Sequence, residues 1–344
     1  MKKILVTGGT GFIGSWVVKY LLDAGHTVRV TVRNKNRKDK VSHLEALAAA
    51  TPGTLELWEA DLLKEGSFNA AMDGCEIVYH IASPFIIGHV KDPYKNLIDP
   101  ALQGTRNVLN AVNQTPSVQR VALTSSVVSI YGDNIEINQT ENNLFTEAHW
   151  NTTSSATHNP YPYSKVLAEK EAWKIHDAQD RWSLVVLNPG FVMGPSLTDA
   201  SDSASMGFIT DILKGKQKMG VPNLTFSFVD VRDVARAHIL AAENPKAEGR
   251  HILVAESLSF LEFCHLIGKK FGNKFALPKM ELPKFMLYLL GWTQGVSWKF
   301  VRLNVGIPIR FDHSKSIKSL GMQYLPMEVT VEDQVNQLLE SGVV

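Results

Sequence analysis

Through the first half of the chain and somewhat beyond it, short apolar runs alternate with stretches of helical spacing. Residues 3–7 are apolar, 15–25 repeat apolar side chains at helical intervals and close on Gly25, and 27–33 alternate as a strand does. Further strands are predicted over 55–58, 76–81, 120–124 and 183–187. Helices are predicted over 67–72, 93–113 and from about 162 through 179. Strands alternating with helices predict an α/β fold: a doubly wound parallel sheet covered on both faces. Past residue 188 the pattern loosens into segments rich in Gly, Ser, Asp and Lys, with a strand over 226–232 and a helix through Glu243. The expected organisation is a nucleotide-binding domain over 1–188 and a smaller substrate-binding lobe over 189–344, with 226–243 packing back on the first domain.

In such sheets ligands bind beyond the carboxyl ends of the strands. Gly8, Asp61, Ala82, Ser126 and Pro189 all follow predicted strand ends and should converge on one crevice. The first of these opens a glycine-rich turn, residues 8–14, between a strand and a helix at the start of the chain. That context marks a Rossmann-type dinucleotide site, in which backbone approaches a pyrophosphate and the helix offers its unpaired N–H groups. The second strand ends in Arg33 rather than the acidic residue that would hold a ribose 2′-hydroxyl, and further bases follow up to Lys40. A cluster of bases suits a 2′-phosphate. The expected cofactor is NADPH/NADP+, its adenine end near Asp61 and Leu62.

Tyr161 and Lys165 are four residues apart on a predicted helix, so they share a face. A phenol titrates near ~10, and a neighbouring ammonium favours the phenolate. The expectation is a lowered phenol pKa, which suits a group that exchanges a proton with an alkoxide. Tyr163 would point elsewhere.

Composition narrows the class. Of 344 residues, 44% are hydrophobic and 20% charged, with a formal net charge of +1, so no overall field favours nucleic acid or anionic membrane. The two cysteines, Cys75 and Cys264, are too few for a disulfide framework or a cysteine-built metal site. His80, His149, His158 and His176 show no ligand spacing, so no metal is expected. The first residues run straight into the glycines without the make-up of a secretory leader. The expectation is a soluble, cytoplasmic protein.

With these motifs in place, the chain resembles the extended short-chain dehydrogenases/reductases over nearly its whole length. Residues 7–14 match that family's TGxxGxxG loop, so the resemblance carries over Thr7, Gly8, Gly11 and Gly14, with Phe12 and Ile13 inside the loop, as cofactor-binding positions. Tyr161 and Lys165 match its YxxxK pair, and residues 124–126 its catalytic-serine segment, with Ser126 the serine carried over. Within the family the likeness is to the dihydroflavonol reductase, cinnamoyl-CoA reductase and yeast methylglyoxal (carbonyl) reductase group. It rests on residues 30–33, 65–68, 78–84, 188–190 with 194–195, and 230–238. In dihydroflavonol reductases the positions of Arg33 and Lys40 hold the NADP phosphate. The chain also departs from its relatives. Tyr131 replaces the asparagine with which dihydroflavonol reductases grip a flavonoid, and residues 159–165 lack the cysteine of the NWYCYGK segment of cinnamoyl-CoA reductases.

The resemblance implies an NADPH-dependent reductase of aldehyde and ketone carbonyls. Ser126 would bond the carbonyl oxygen, Tyr161 donate the proton, and Lys165 hold the nicotinamide ribose and tune Tyr161. Ala82, Ser83, Pro84, Thr124, Pro189, Gly190 and Val192 complete the expected cofactor contacts. Phe85, Tyr131, Phe191, Met193, Met206 and Phe226 form, with Ser126, the expected substrate pocket for a modest apolar or aromatic carbonyl compound. The expected partner is that small molecule, with no nucleic acid or membrane, and the chain is a monomer or a homodimer. A nucleotide-sugar epimerase or dehydratase and a hydroxysteroid dehydrogenase share the serine, tyrosine and lysine and stay open as alternatives. A non-catalytic NADP sensor would have no use for the complete YxxxK pair.

Overall fold

The computed structural model describes residues 2–83, 91–198, 203–291 and 296–344. Its main sheet takes strands Lys3–Thr7 (β1), Thr27–Val32 (β2), Thr54–Glu59 (β3), Ile77–His80 (β4), Arg120–Thr124 (β5) and Ser183–Pro189 (β6). All pair in parallel, in the spatial order β3-β2-β1-β4-β5-β6, so the chain winds outward from β1 in both directions. β1 shows why such strands read as unbroken apolar runs. Successive side chains point to opposite faces, and both faces are covered: Ile4 and Val6 pack on one side, Leu5 on the other.

The face of Ile4 and Val6 is covered by Phe12–Asp23 (α1) and Lys38–Ala49 (α2). The face of Leu5 is covered by Asn69–Met72 (α3), Asp99–Gln114 (α4) and Pro160–His176 (α5). The helix expected over 93–113 is two pieces, a π-helical turn Tyr94–Ile98 and then α4. Pro100 stands at the junction, and its missing N–H interrupts the regular hydrogen-bond ladder there.

The second half contributes Phe191–Met193 (β7), Ala204–Leu213 (α6), Val221–Pro222 (β8), Thr225–Asp230 (β9), Val231–Glu243 (α7), Gly249–Leu253 (β10), Glu256–Ser259 (β11) and Phe260–Phe271 (α8). Glu281–Leu282 (β12), Lys284–Leu290 (α9), Trp298–Asn304 (α10), Ser314–Leu320 (α11) and Met327–Glu340 (α12) follow. β7, β9 and β11 form a small sheet that packs with α6, α8 and α12 around Phe228, Phe263 and Ile267. β8 and β12 make a separate two-stranded pair. Helix α7 packs against α1, while 226–230 lies in β9 of the small sheet, and the exchange goes further. β10 pairs in parallel with β6 as the seventh strand of the main sheet, so that sheet is not closed within residues 1–188.

Two arginines, the buried Arg120 and the exposed Arg181, tie helix ends to the sheet. Arg120, at the start of β5, donates to the carbonyls of Ala241 (2.6 Å), in the last turn of α7, and of Asn244 (2.9 Å) and Ala247 (2.7 Å), beyond its end. Arg181 does the same at the end of α4, reaching Val112 (2.6 Å) in its last turn and Thr115 (3.0 Å) and Val118 (2.7 Å) beyond it. Each supplies the donors that a helix carboxyl end lacks. Among the described residues, no helix is long and apolar enough to cross a membrane.

Candidate active site

The glycine turn sits where β1 hands over to α1. Gly8 has φ +72°, a left-handed conformation, and a Cβ there would stand 2.8 Å from the backbone N and Cα of Ala82. The loop is thus pressed against the end of β4, and only glycine fits. A Cβ on Gly14 would come within 2.1 Å of the Gly8 carbonyl oxygen. Gly11 caps α1 without a side chain to meet the first N–H groups, which leaves that helix end suited to an anion. The Thr7 hydroxyl accepts from Ala82 N–H (3.2 Å) and meets Nδ1 of His80 (2.9 Å), so it braces the loop from beneath. Phe12 is buried, and Ile13, in the first turn of α1, is half-buried.

Arg33 is exposed immediately after β2. Of the bases that follow, Arg37 pairs with Asp39 (2.6 Å) and Lys38 with Glu45 (2.6 Å), while Lys40 lies in the first turn of α2. Asp61 turns its carboxylate onto the N–H of Leu63 (2.9 Å), and the Leu62 carbonyl accepts from Asn107 (2.7 Å). These bonds fix the loop at the end of β3.

Tyr161 and Lys165 lie in the first two turns of α5, which starts from a left-handed Asn159 (φ 59°). The Asn159 amide donates to the Gly132 carbonyl (3.0 Å) and so sets the helix against the loop that follows β5. Lys165 Nζ is 5.9 Å from the Tyr161 ring centroid, which bears out the shared face. The expected lowering of the phenol pKa does not hold. Burial pushes the Tyr161 phenol above its ordinary value, because spacing along a helix reports proximity but not desolvation. Burial also pushes the Lys165 ammonium down to about 8, against the opposing pull of the Glu169 carboxylate. His80, buried and facing the Lys165 charge, is held neutral at about 3.

Ser126 caps the short 3₁₀ turn Val127–Ser129 by accepting from Val128 N–H (3.3 Å), and its hydroxyl lies 3.4 Å from the Pro189 carbonyl. Helix α5 packs on that turn. Ala82, Ser83, Thr124 and Lys165 line one small cavity of about 20 Å³ together with His80 and Glu169. The Thr124 hydroxyl is turned away to His238 Nε2 (2.6 Å); His238 donates from Nδ1 to the Val234 carbonyl (2.7 Å), and burial lowers it to about 4. Gly190 is stitched between strands, donating to Leu253 (3.0 Å), with its Cα side against the Ser227 carbonyl. Val192 is half-buried against α7.

The expected substrate residues fall into separate groups. Tyr131 packs with Phe145 (5.1 Å) and Phe311 (5.5 Å) beside Ile307. Phe191, Phe226 and Met206 belong to a different cluster, with Phe191 edge-on to Phe208 (5.1 Å) and the Met206 sulfur accepting from Gln334 (3.3 Å). Met193 is 0% exposed in the core of the second lobe. It is a packing residue rather than a pocket wall, because on β7 it points inward. Pro84 and Phe85 lie outside the described residues.

The buried polar residues that hold this site together gave no signal of their own. Glu169, Ser125, Ser129, Asn188 and Arg250 are scattered over four segments of the chain and meet only in the fold.

Residues 4–255 match the family model described as "Epimerase: NAD dependent epimerase/dehydratase family". Cinnamoyl-CoA reductase CAD2 of Medicago truncatula is 37% identical over 343 residues, with 98% of this chain and 95% of that protein covered. Tetraketide alpha-pyrone reductase 2 of Arabidopsis thaliana is 38% identical over 276 residues, 79% of this chain and 84% of that protein. Among solved structures, Gre2 of Candida albicans in complex with NADPH superposes with a TM-score of 0.80 at 30% identity, covering 99% of each chain. The chain belongs to the NAD dependent epimerase/dehydratase family, the extended short-chain dehydrogenases/reductases.

Proposed function

We propose that the protein is an NADPH-dependent reductase that converts aldehyde or ketone carbonyls to alcohols, with Tyr161 as proton donor. One observation carries the reading: a half-buried tyrosine and a buried lysine share a helix face against the Ser126 turn, at the strand ends where the glycine loop also lies. The chemistry of the loop fits a dinucleotide. Gly8 and Gly14 leave no room for side chains, and α1 presents its amino end. The 2′-phosphate is met by Arg33 with Lys40, and the adenine end by Asp61 and Leu62. The relatives named above are reductases, and the Gre2 structure contains NADPH. When bound, the nicotinamide supplies the hydride.

The chain's own groups supply the rest. Ser126 directs its hydroxyl to the carbonyl oxygen and stabilises the charge that grows there. Because burial raises the Tyr161 pKa, the phenol keeps its proton at neutral pH and arrives as an acid ready to protonate an alkoxide. Lys165 lends positive charge beside the phenol and holds the ribose. The backbone over 189–192 and the ends of β4 and β5 form the floor of the nicotinamide site, and the lobe over 189–344 selects the substrate. Tyr131, Phe191 and Phe226 offer it apolar and aromatic surface.

NADPH and NADH oxidation with a panel of aldehydes, diketones, α-ketoesters and aryl ketones tests this, with wild type and Tyr161→Phe side by side. The expected result is NADPH-dependent turnover that falls about 10²–10⁴-fold in the variant while NADPH binding persists, the usual range for loss of a general acid. Turnover undiminished in Tyr161→Phe would overturn the reading.

A further inference from the structure

Beneath the proposed catalytic groups lies one carboxylate whose partners come from the serine turn, β6 and β10. Glu169 is 1% exposed and sits one helical turn after Lys165 on α5, so it faces the same side. Its Oε1 accepts from Arg250 Nε at 2.6 Å. Its Oε2 accepts from Asn188 Nδ2 at 3.0 Å, lies 2.6 Å from Ser129 Oγ, and is bonded by Ser125 Oγ. Ser125 and Ser129 flank Ser126, and Ser129 Oγ also lies 2.8 Å from the Ser126 carbonyl. Arg250 is 6% exposed on β10. Beyond Glu169 it donates to Ser129 Oγ (2.9 Å) and to the carbonyls of Glu147 (2.9 Å) and His149 (2.6 Å), and its guanidinium lies 3.9 Å from the Trp150 ring centroid.

We propose that Glu169, anchored by Arg250, is a positioning residue that fixes the Ser126 turn against the Tyr161–Lys165 helix and keeps Lys165 in its ammonium form. This rests on the reading that Ser126, Tyr161 and Lys165 carry the reaction. The geometry gives two separable effects. Hydrogen bonds from Ser125 and Ser129 set the distance between the serine turn and α5. The negative charge acts on Lys165 across one turn of helix. Among the described residues, the titratable groups facing Lys165 are Tyr161 and Glu169 from its own helix and His80 from β4. Arg250 stands behind Glu169 on β10. His80 is neutral and Tyr161 is protonated, so Glu169 is the one anion that opposes the desolvation of the ammonium. A purely structural ion pair would have no reason to hold both serines that flank Ser126.

Two variants separate the effects. Ser125→Ala keeps the charge and removes one tether, and Glu169→Gln keeps the shape and removes the charge. kcat, KM and NADPH affinity would be measured against pH with the carbonyl substrate that the panel selects, beside wild type and Tyr161→Phe. Ser125→Ala is expected to lose about 3- to 10-fold in kcat, less than the full worth of a bond to a carboxylate because Ser129 still tethers the turn, with KM and the alkaline limb of the pH profile unchanged. Glu169→Gln is expected to lose more than 10-fold in kcat and to move that limb to lower pH by half a unit or more. Ser125→Ala within twofold of wild type, or a folded Glu169→Gln whose alkaline limb stays in place, would overturn the inference. If Glu169→Gln does not fold, Ser125→Ala decides alone. Should Tyr161→Phe retain turnover, the proposed function itself falls. If Tyr161→Phe is inactive while both other variants match wild type, only the present inference does.

Discussion

Replacing Gly14 by alanine tests how tightly the loop is built. The added Cβ would stand 2.1 Å from the Gly8 carbonyl oxygen and 2.8 Å from Gly9 Cα, where ordinary contact begins at 3.4 Å. These neighbours are backbone, so no rotamer change relieves the clash, and the turn must part from α1 by about 1 Å. The Gly8 carbonyl also accepts from Gly11 N–H at 3.0 Å, so the whole turn moves. Overpacking of this kind costs about 1–3 kcal/mol of stability. Loss of one charge-assisted bond to a phosphate removes about 1.5–3 kcal/mol of binding, or roughly 10- to 150-fold in NADPH affinity. Urea unfolding gives the first quantity. Quenching of tryptophan fluorescence gives the second, since the chain carries 7 tryptophans. Gly11→Ala is the control for stability: its Cβ would meet the same oxygen at 3.3 Å, which a shift of a few tenths of an ångström relieves. The reasoning fails if Gly14→Ala binds NADPH within threefold of wild type, or if Gly11→Ala is equally destabilising.

Lys165 makes activity and stability respond to alkali in opposite senses. With its folded value near 8 against an ordinary 10.5, the unfolded chain binds more protons between those limits, so this residue makes the protein more stable as pH rises through that window and less stable as pH falls through about 8. Turnover, which uses the ammonium, is expected to decline over the same window. Urea midpoints and initial rates from pH 7 to 10.5, with Lys165→Met as reference, would check this; a wild-type stability that falls relative to Lys165→Met as pH rises would contradict it. Arg120→Met removes the donors that meet three carbonyls at and beyond the end of α7. It is expected to cost about 3 kcal/mol in urea unfolding, with NADPH affinity kept in the folded protein, and a loss below about 1 kcal/mol would show that water replaces the guanidinium.

Much of the site was legible because its signals are local. The glycine turn needs seven consecutive residues, and Tyr161 with Lys165 needs one turn of helix. What was not legible depends on contacts distant in sequence or on burial. β10 carries Arg250 and His251 within its five residues and does not read as a core strand, yet both side chains are buried. Helix α2 buries only Val41 and Leu44, too few for its period to stand out from the basic segment before it. Glu169 and Arg250 are 81 residues apart, and nothing near either one announces the other. The direction of the Tyr161 shift failed for the same reason: a neighbour four residues away can be counted, but the exclusion of water around both groups is a property of the folded chain.

The return of the chain to β10 after it has built much of the second lobe has a bearing on inheritance and engineering. A gene fusion cut once near residue 188 would leave β6 as an open edge and α1 without the cover of α7. A new substrate lobe can therefore be grafted only by exchanges that preserve 231–243 and 249–253 as fixed crossings. Specificity in this architecture is expected to diversify by replacing the loops and helices between those crossings, not by trading whole halves.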